Sequence, residues 1–197
     1  MKSKKPKLIA AFPVACIAIL ALGSSAWASS PVTITNPGFE DPVTGDGDLA
    51  GSTPGWSTFN SGSIDILNPN TGTDLTAEAP EGQNIGLVTS SANEDGMSQT
   101  LPVTFQANAT YDLSVKVANT KFATGFPGYR IQLVANGTVL AEDDNSLSVA
   151  EDAVVTSTVH YVYNAGLHAG LVGQPLEIRE RFIDHQRRTQ CHGSLDR

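Results

Sequence analysis

Few stretches of this 197-residue chain gather side chains able to recognise a ligand, and residues 119–130 are the richest of them. That loop carries Phe122, Phe126 and Tyr129 together with Lys121 and Arg130, spaced by Gly125 and Gly128. Aromatic faces beside hydrogen-bonding side chains in a concave loop suit a sugar ring, which stacks through its C–H face and donates and accepts through its hydroxyls. Phe122, Phe126, Tyr129 and Arg130 are therefore the expected ligand-binding residues. The competing reading is a connection between strands whose aromatics pack down on the edge of the core.

Patterns that would carry catalysis are weak. His160 and His168 bracket a loop with no serine or cysteine in a nucleophile context, and Gly-x-Ser-x-Gly does not occur. His160 reads as a strand residue facing solvent. Any two of the 20 acids could converge as a glycosidase pair. Glu142-Asp143-Asp144 and Glu151-Asp152 read instead as hydrophilic loop charges that keep a sandwich soluble and its edges unpaired. The expectation is a chain that is not an enzyme. Asp46-Gly47-Asp48 opens like a calcium loop but lacks the later ligands of an EF-hand, and reads as a turn. The lack of a CxxC, with only Cys191-His192 as a soft ligand pair, argues against a zinc-finger type of metal site.

These residues must be positioned by strands. Tyr111, Leu113, Val115 and Val117 alternate with Asp112, Ser114 and Lys116, the period of a half-buried strand. Ile131, Leu133 and Ala135 repeat the pattern more weakly, with Val134 opposite. Asn136-Gly137 then supplies the two positive-φ residues of a tight type I′ hairpin, and residues 138–141 return. Val155, Ser157, Val159, Tyr161 and Tyr163 share one face of another strand, which favours a core place for both tyrosines. Shorter strands are predicted at 32–35, 63–67, 84–89, 97–103 and 175–179, and residues 147–152 could form one short helical turn. Residues 36–62, rich in Gly, Pro, Asp and Ser, read as ordered loops anchored by Phe39, Trp56 and Phe59. Eight or nine short strands without helical periodicity predict an all-β fold, a two-sheet antiparallel β-sandwich of jelly-roll type.

Charge and cysteines bound the setting. The net charge is −8, yet Lys2, Lys4, Lys5 and Lys7 all precede an apolar run over 8–22, and Ala26-Trp27-Ala28 offers the small residues of a signal-peptidase site. Residues 1–28 are expected to be a signal peptide, too short in its apolar part to remain as a membrane span. Removing it leaves a strongly acidic chain, which argues against nucleic acid and anionic membranes as partners. It also removes Cys16, leaving Cys191 and no internal disulfide. A secreted or cell-surface location follows from that reading.

Motifs in order then suggest relatives. Asn36-Pro37-Gly38-Phe39-Glu40, Pro54-Gly55-Trp56, Gly62-Ser63-Ile64-Asp65, Pro80-Glu81-Gly82-Gln83-Asn84-Ile85-Gly86-Leu87, Ser98-Gln99-Thr100-Leu101 and residues 109–115 follow one another. The series resembles the galactose-binding-domain-like β-sandwiches, including the carbohydrate-binding modules of xylanases, over about residues 32–179. Leader and domain together are similar to bacterial PEP-CTERM sorted proteins, although no apolar sorting tail is present. The resemblance implies a structural calcium held by Glu40, with Asp41 beside it, and a structural role for Trp56. Six to eight oxygens from carboxylates and carbonyls would be needed for that ion.

Residues 180–197 depart from the pattern. They hold Arg181, Arg187, Arg188 and Arg197, whereas residues 29–179 hold only four basic side chains. In the resembled family a closing strand with an Asp-Asn-Val-like motif follows at this point, and nothing here matches it. The expected organisation is a signal peptide at 1–28, a sandwich domain at 29–179 and an atypical basic tail at 180–197, either out of frame or bound to an acidic partner. The expected function is non-catalytic binding of polysaccharide at the cell surface or in the extracellular matrix. The alternative is a structural or adhesive envelope protein without a sugar ligand.

Overall fold

The computed structural model describes residues 14–15, 17–21, 29–76, 79, 82–89, 94–121 and 125–183, the first two segments and Ser29 as backbone only. Among the described residues twelve strands run in order: β1 Val14–Ala15, β2 Ile17–Ala21, β3 Ser29–Val32, β4 Ser57–Phe59, β5 Ser63–Leu67, β6 Ile85–Thr89, β7 Gly96–Thr104, β8 Ala109–Asn119, β9 Tyr129–Ala135, β10 Thr138–Asp144, β11 Ala153–Val162 and β12 Pro175–Phe182. The fold is all-β, as expected. One sheet is built on β8, which pairs with β11 along its length and with the short β1 and β2, β2 also pairing β3. A second sheet has the order β10-β9-β12-β7-β4, and β5 pairs with β6 in a separate ribbon. Every named strand pairing is antiparallel, and the core lies between the sheets of a sandwich.

Period-two alternation explains most of the burial. Tyr111, Leu113, Val115 and Val117 are sealed, and Ser157, Val159 and Tyr161 face them from β11. Trp56 is core, stacked on Phe39 with ring centroids 5.2 Å apart and donating Nε1–H to the Asn36 carbonyl at 3.2 Å. Phe105, Tyr111, Tyr161 and Tyr163 form a second aromatic group. Asn136 and Gly137 adopt φ of 46° and 79°, the pair of positive values that a type I′ turn requires.

Three elements differ from the sequence expectation. Strand β9 is buried on both faces from Ile131 to Ala135, because it lies inside the sheet and its outward Gln132 is covered by Glu142 and Arg181. Residues 147–152 are not helical. The helix is instead α1, Ala165–His168, with a 3-10 turn at Ala169–Leu171. Asn164 caps it by accepting from the Gly166 N–H at 3.0 Å, and its four residues are too few to show a period. Finally, the strand expected to stop at Arg179 continues to Phe182. β12 stands between β9 and β7, so Glu180 to Phe182 are held by two neighbours rather than beginning a tail.

Candidate active site

Strand register creates the site. Glu180 lies opposite Ile131 of β9 and opposite Met97 of β7, and Ile131 lies opposite Asp143 of β10. Directly opposed residues of antiparallel strands project to the same face. Asp143, Ile131, Glu180 and Met97 therefore form one row across four strands, all buried on the inner side of the sheet. Two of the four are carboxylic acids, separated by the width of one intervening strand.

The two acids have opposite fates. Glu180 is 4% exposed, and neither of its carboxylate oxygens has a hydrogen-bond partner. It lines a narrow cavity with Val88, Met97, Tyr129, Ile131, Arg181 and Phe182, a space with room for about one water molecule. Burial without a partner penalises the charged form, and pushes the Glu180 carboxyl up to about 8. At neutral pH it is a protonated acid in apolar surroundings.

Asp143 is also buried, which alone would raise it, but three donors reverse the balance. Ser157 Oγ donates to its Oδ2 at 2.5 Å, the Tyr129 hydroxyl to the same oxygen at 2.7 Å, and the Ser146 N–H to Oδ1 at 3.0 Å. The Asp143 carboxyl is held below the usual range and stays ionised. Tyr129 in turn is raised, first by burial and then by the bond to Asp143, so its phenol keeps its proton. A neutral acid and a carboxylate whose environments pull them apart are the arrangement that assigns acid and base roles in a site.

The outer face of the same strands is a clamp. Arg130 makes paired bonds to Glu94 at 3.0 and 2.9 Å and to Asp144 at 3.1 and 2.9 Å. Arg181 pairs with Glu94, and Arg179 with Glu177 at 2.7 Å. The guanidinium groups of Arg179 and Arg181 lie 4.7 and 4.8 Å from the Phe59 ring centroid. Bidentate and stacked arginines resist rotation, so β12 is fixed from outside while Glu180 faces in.

The residues singled out from sequence are scattered by this geometry. Tyr129 lines the cavity, Phe126 tilts against it at 6.2 Å, and Arg130 faces the opposite side of the sheet in the ionic clamp. Phe122 lies outside the described residues. Glu40 accepts from the Gln83 and Asn84 N–H groups at 2.8 and 2.9 Å through one oxygen, while Asp41 closes a turn with Asn36. Among the described residues no group of three His, Cys, Asp or Glu could hold a metal ion. His160 is solvent-facing and paired with Asp112 at 2.6 Å. Glu142-Asp143-Asp144 is not a loop but the end of β10, and its middle residue points inward. A broader open groove, lined by residues such as Leu101, Pro102, Val103 and Pro175, contains no ionisable side chain.

Glu180 went unrecognised in the sequence because its strand was cut one residue before it. The signal that finds it is the continued alternation Leu176, Ile178, Glu180, in which an acid occupies the third inward position of an otherwise apolar series.

A protonated carboxyl beside aromatic, thioether and aliphatic groups is an arrangement able to donate a proton where water is scarce. Residues 30–193 match the family model HpiC1-like, described as HpiC1 cyclase, and the chain belongs to that family. Similar solved structures include a Stig cyclase, Fisc, from Fischerella sp. TAU in complex with (3Z)-3-(1-methyl-2-pyrrolidinylidene)-3H-indole, at 27% identity and a TM-score of 0.70, covering 78% of this chain and 88% of that one. An apo cyclase from Fischerella sp. is similar at 27% identity and a TM-score of 0.69, with 78% and 87% covered. A cyclase from Fischerella sp. TAU in complex with 4-(1H-indol-3-yl)butan-2-one has 27% identity and a TM-score of 0.68, with 78% and 88% covered. No curated protein matches the chain.

These findings correct the sequence expectation. The family is that of the HpiC1-like cyclases, not the galactose-binding-like modules or PEP-CTERM sorted proteins. Short ordered motifs around Gly, Pro and Trp reported a shared sandwich architecture, which does not carry function with it. The expectations of a non-enzyme, of polysaccharide as partner, of a matrix role and of an adhesive alternative are overturned by the cyclase family and by relatives whose bound molecules are small indoles.

Proposed function

We propose that the chain is a cyclase acting on a small indole-bearing molecule, with Glu180 as proton donor. The observation that carries the reading is a fully buried carboxyl with two unpartnered oxygens in an apolar cavity. Held neutral, Glu180 can give its proton to an unsaturated indole substrate, creating a cation. Attack of a π bond within the same molecule forms one C–C σ bond and closes the ring. Loss of a proton from the cyclised cation to the Glu180 carboxylate restores both partners, so substrate and product are isomers and no co-reactant is consumed. Low polarity in the cavity strengthens every charge interaction along that course and excludes water from the cation.

Tyr129 and Phe182 line the cavity with aromatic rings, and Phe126 packs on Tyr129. The closed cavity holds about one water, so an indole enters only as its walls move apart, and Met97, with an unbranched chain, is the wall residue best able to yield. Turnover of an indole bearing an unsaturated side chain should fall at least about a hundredfold in Glu180→Gln, with 4-(1H-indol-3-yl)butan-2-one still bound. Glu180→Asp should retain part of the rate. Unimpaired cyclisation by Glu180→Gln refutes the assignment.

A calcium ion at Glu40 and Asp41 is a separate proposal. Its support is Asn84 Oδ1, a buried oxygen without a hydrogen-bond partner, on a side chain whose Nδ2 donates to the Phe39 and Pro42 carbonyls at 2.9 and 3.4 Å. Backbone carbonyls would complete such a site, whose role is to brace the loop.

A further inference from the structure

Cyclisation by protonation, the reading on which this inference rests, leaves positive charge on the ligand and a carboxylate on Glu180, and charge that moves along the ligand away from that carboxylate needs a second partner. We propose that Asp143 is a positioning residue that holds and polarises the Tyr129 phenol, making its ring the wall of the cavity that stabilises a cationic indole. The Tyr129 hydroxyl is engaged as donor and as acceptor, its O–H donating to Asp143 Oδ2 at 2.7 Å and its oxygen accepting from the Leu147 N–H at 3.3 Å. What it offers the cavity is therefore its ring. A phenol bound to a carboxylate shifts electron density into the ring, and a richer π face attracts a cation more strongly.

Position makes this effect specific. Asp143 stands two places from Glu180 in the same lateral row, on the far side of Ile131, so its charge and the site of proton transfer share one layer of the core. Its other side-chain donor, Ser157, comes from β11 of the opposing sheet, which locks Asp143, and through it the Tyr129 ring, against both layers. A buried carboxylate used only to staple two sheets would serve at any height of the sandwich. This one is coupled to an aromatic residue that lines the cavity with Glu180, from the neighbouring strand of the same sheet.

Two probes separate the electrostatic role from a structural one. 4-(1H-Indol-3-yl)butan-2-one is a neutral ketone. (3Z)-3-(1-Methyl-2-pyrrolidinylidene)-3H-indole is a vinylogous amidine, protonated to a delocalised cation at neutral pH. Affinities of the full chain for both are measured by calorimetric titration in wild type, Asp143→Asn and Tyr129→Phe. Asp143→Asn is expected to weaken the cationic probe about tenfold more than the ketone, the size of a partly desolvated cation–π contact. Tyr129→Phe should lose about half of that preference on a logarithmic scale, and the double variant no more than Asp143→Asn alone. Equal weakening of both probes overturns the inference and leaves a structural staple. If Asp143→Asn does not fold, Tyr129→Phe decides, and an unchanged ratio of affinities overturns it. Failure of wild type to bind either probe refutes the cyclase reading and this inference with it, whereas tight binding of both with an unaltered ratio refutes the inference alone.

Discussion

Replacing Glu180 by glutamine removes one titration and preserves shape, and its effect on stability can be worked out without any substrate. The group titrates near 4.5 when unfolded and at about 8 when folded. Between those values the folded chain binds a proton that the unfolded chain has released. Stability from this group is therefore fully present below pH 4.5, falls as pH rises, and levels off above about pH 8. Each pH unit in that window costs about 1.4 kcal/mol, so at pH 7 wild type has lost about 3 kcal/mol relative to its acid limit. Glutamine does not titrate. The unfolding free energy of Glu180→Gln minus that of wild type should rise by about 3 kcal/mol between pH 4 and pH 7, and flatten near pH 8. Urea melts at half-unit intervals of pH read this difference directly, and in a domain of this size the thermal midpoint should move by about 6–12 °C. Parallel stability curves for the two proteins from pH 4 to pH 9 would refute the burial of a protonated acid, and with it the proposed chemistry.

Asp143 imposes the opposite dependence. Its folded carboxyl is lowered, so the stability it contributes is present above its unfolded value of 3.8 and is lost as pH falls through the folded one, which Asp143→Asn should abolish in acid titrations followed by circular dichroism. Gly86→Ala would place a Cβ 2.5 Å from Phe39 Cζ, an overpacking expected to cost about 1–3 kcal/mol in a urea melt. If Glu40 holds calcium, millimolar calcium should raise the thermal midpoint of wild type and leave Glu40→Gln unmoved; identical melts with calcium and with chelator exclude the ion. Amino-terminal sequencing of exported protein should begin at Ser29 if residues 1–28 are a cleaved leader, and at Met1 if they are retained.

Fold class was legible because alternation is a local property. The run from Tyr111 to Val117 announces a half-buried strand by itself, and Asn136-Gly137 announces its hairpin. The site was only half legible. Tyr129 stood out as an aromatic in a glycine-spaced loop, but the sequence alone could not say that its hydroxyl is spent on a residue 14 positions away. Glu180 and Asp143 were hidden by their neighbours' charge. Averaged over a window, Glu142-Asp143-Asp144 is a polar surface and the segment from Glu180 onward is a basic tail. Read one face at a time, Asp143 in the first and Glu180 in the second are turned toward the core. The row that joins them depends on register between four strands far apart in the chain, which no local pattern encodes. Motif order misled in the opposite direction, since loops and anchors such as Phe39 and Trp56 belong to the scaffold and are indifferent to what the inner row does.

The seal around Glu180 has an isotopic consequence. A carboxyl proton at 4% exposure, on the strand flanked by β9 and β7, reaches solvent only when the cavity opens. If cyclisation and proton return both occur before opening, the proton taken from one substrate is the proton given to the next. Reaction in D2O would then place less than one deuterium per molecule at the protonated carbon of the product. Because product and substrate pass through the same opening, the deficit would measure how incompletely the carboxyl proton exchanges with solvent during each opening, a ratio of rates that mass spectrometry can read.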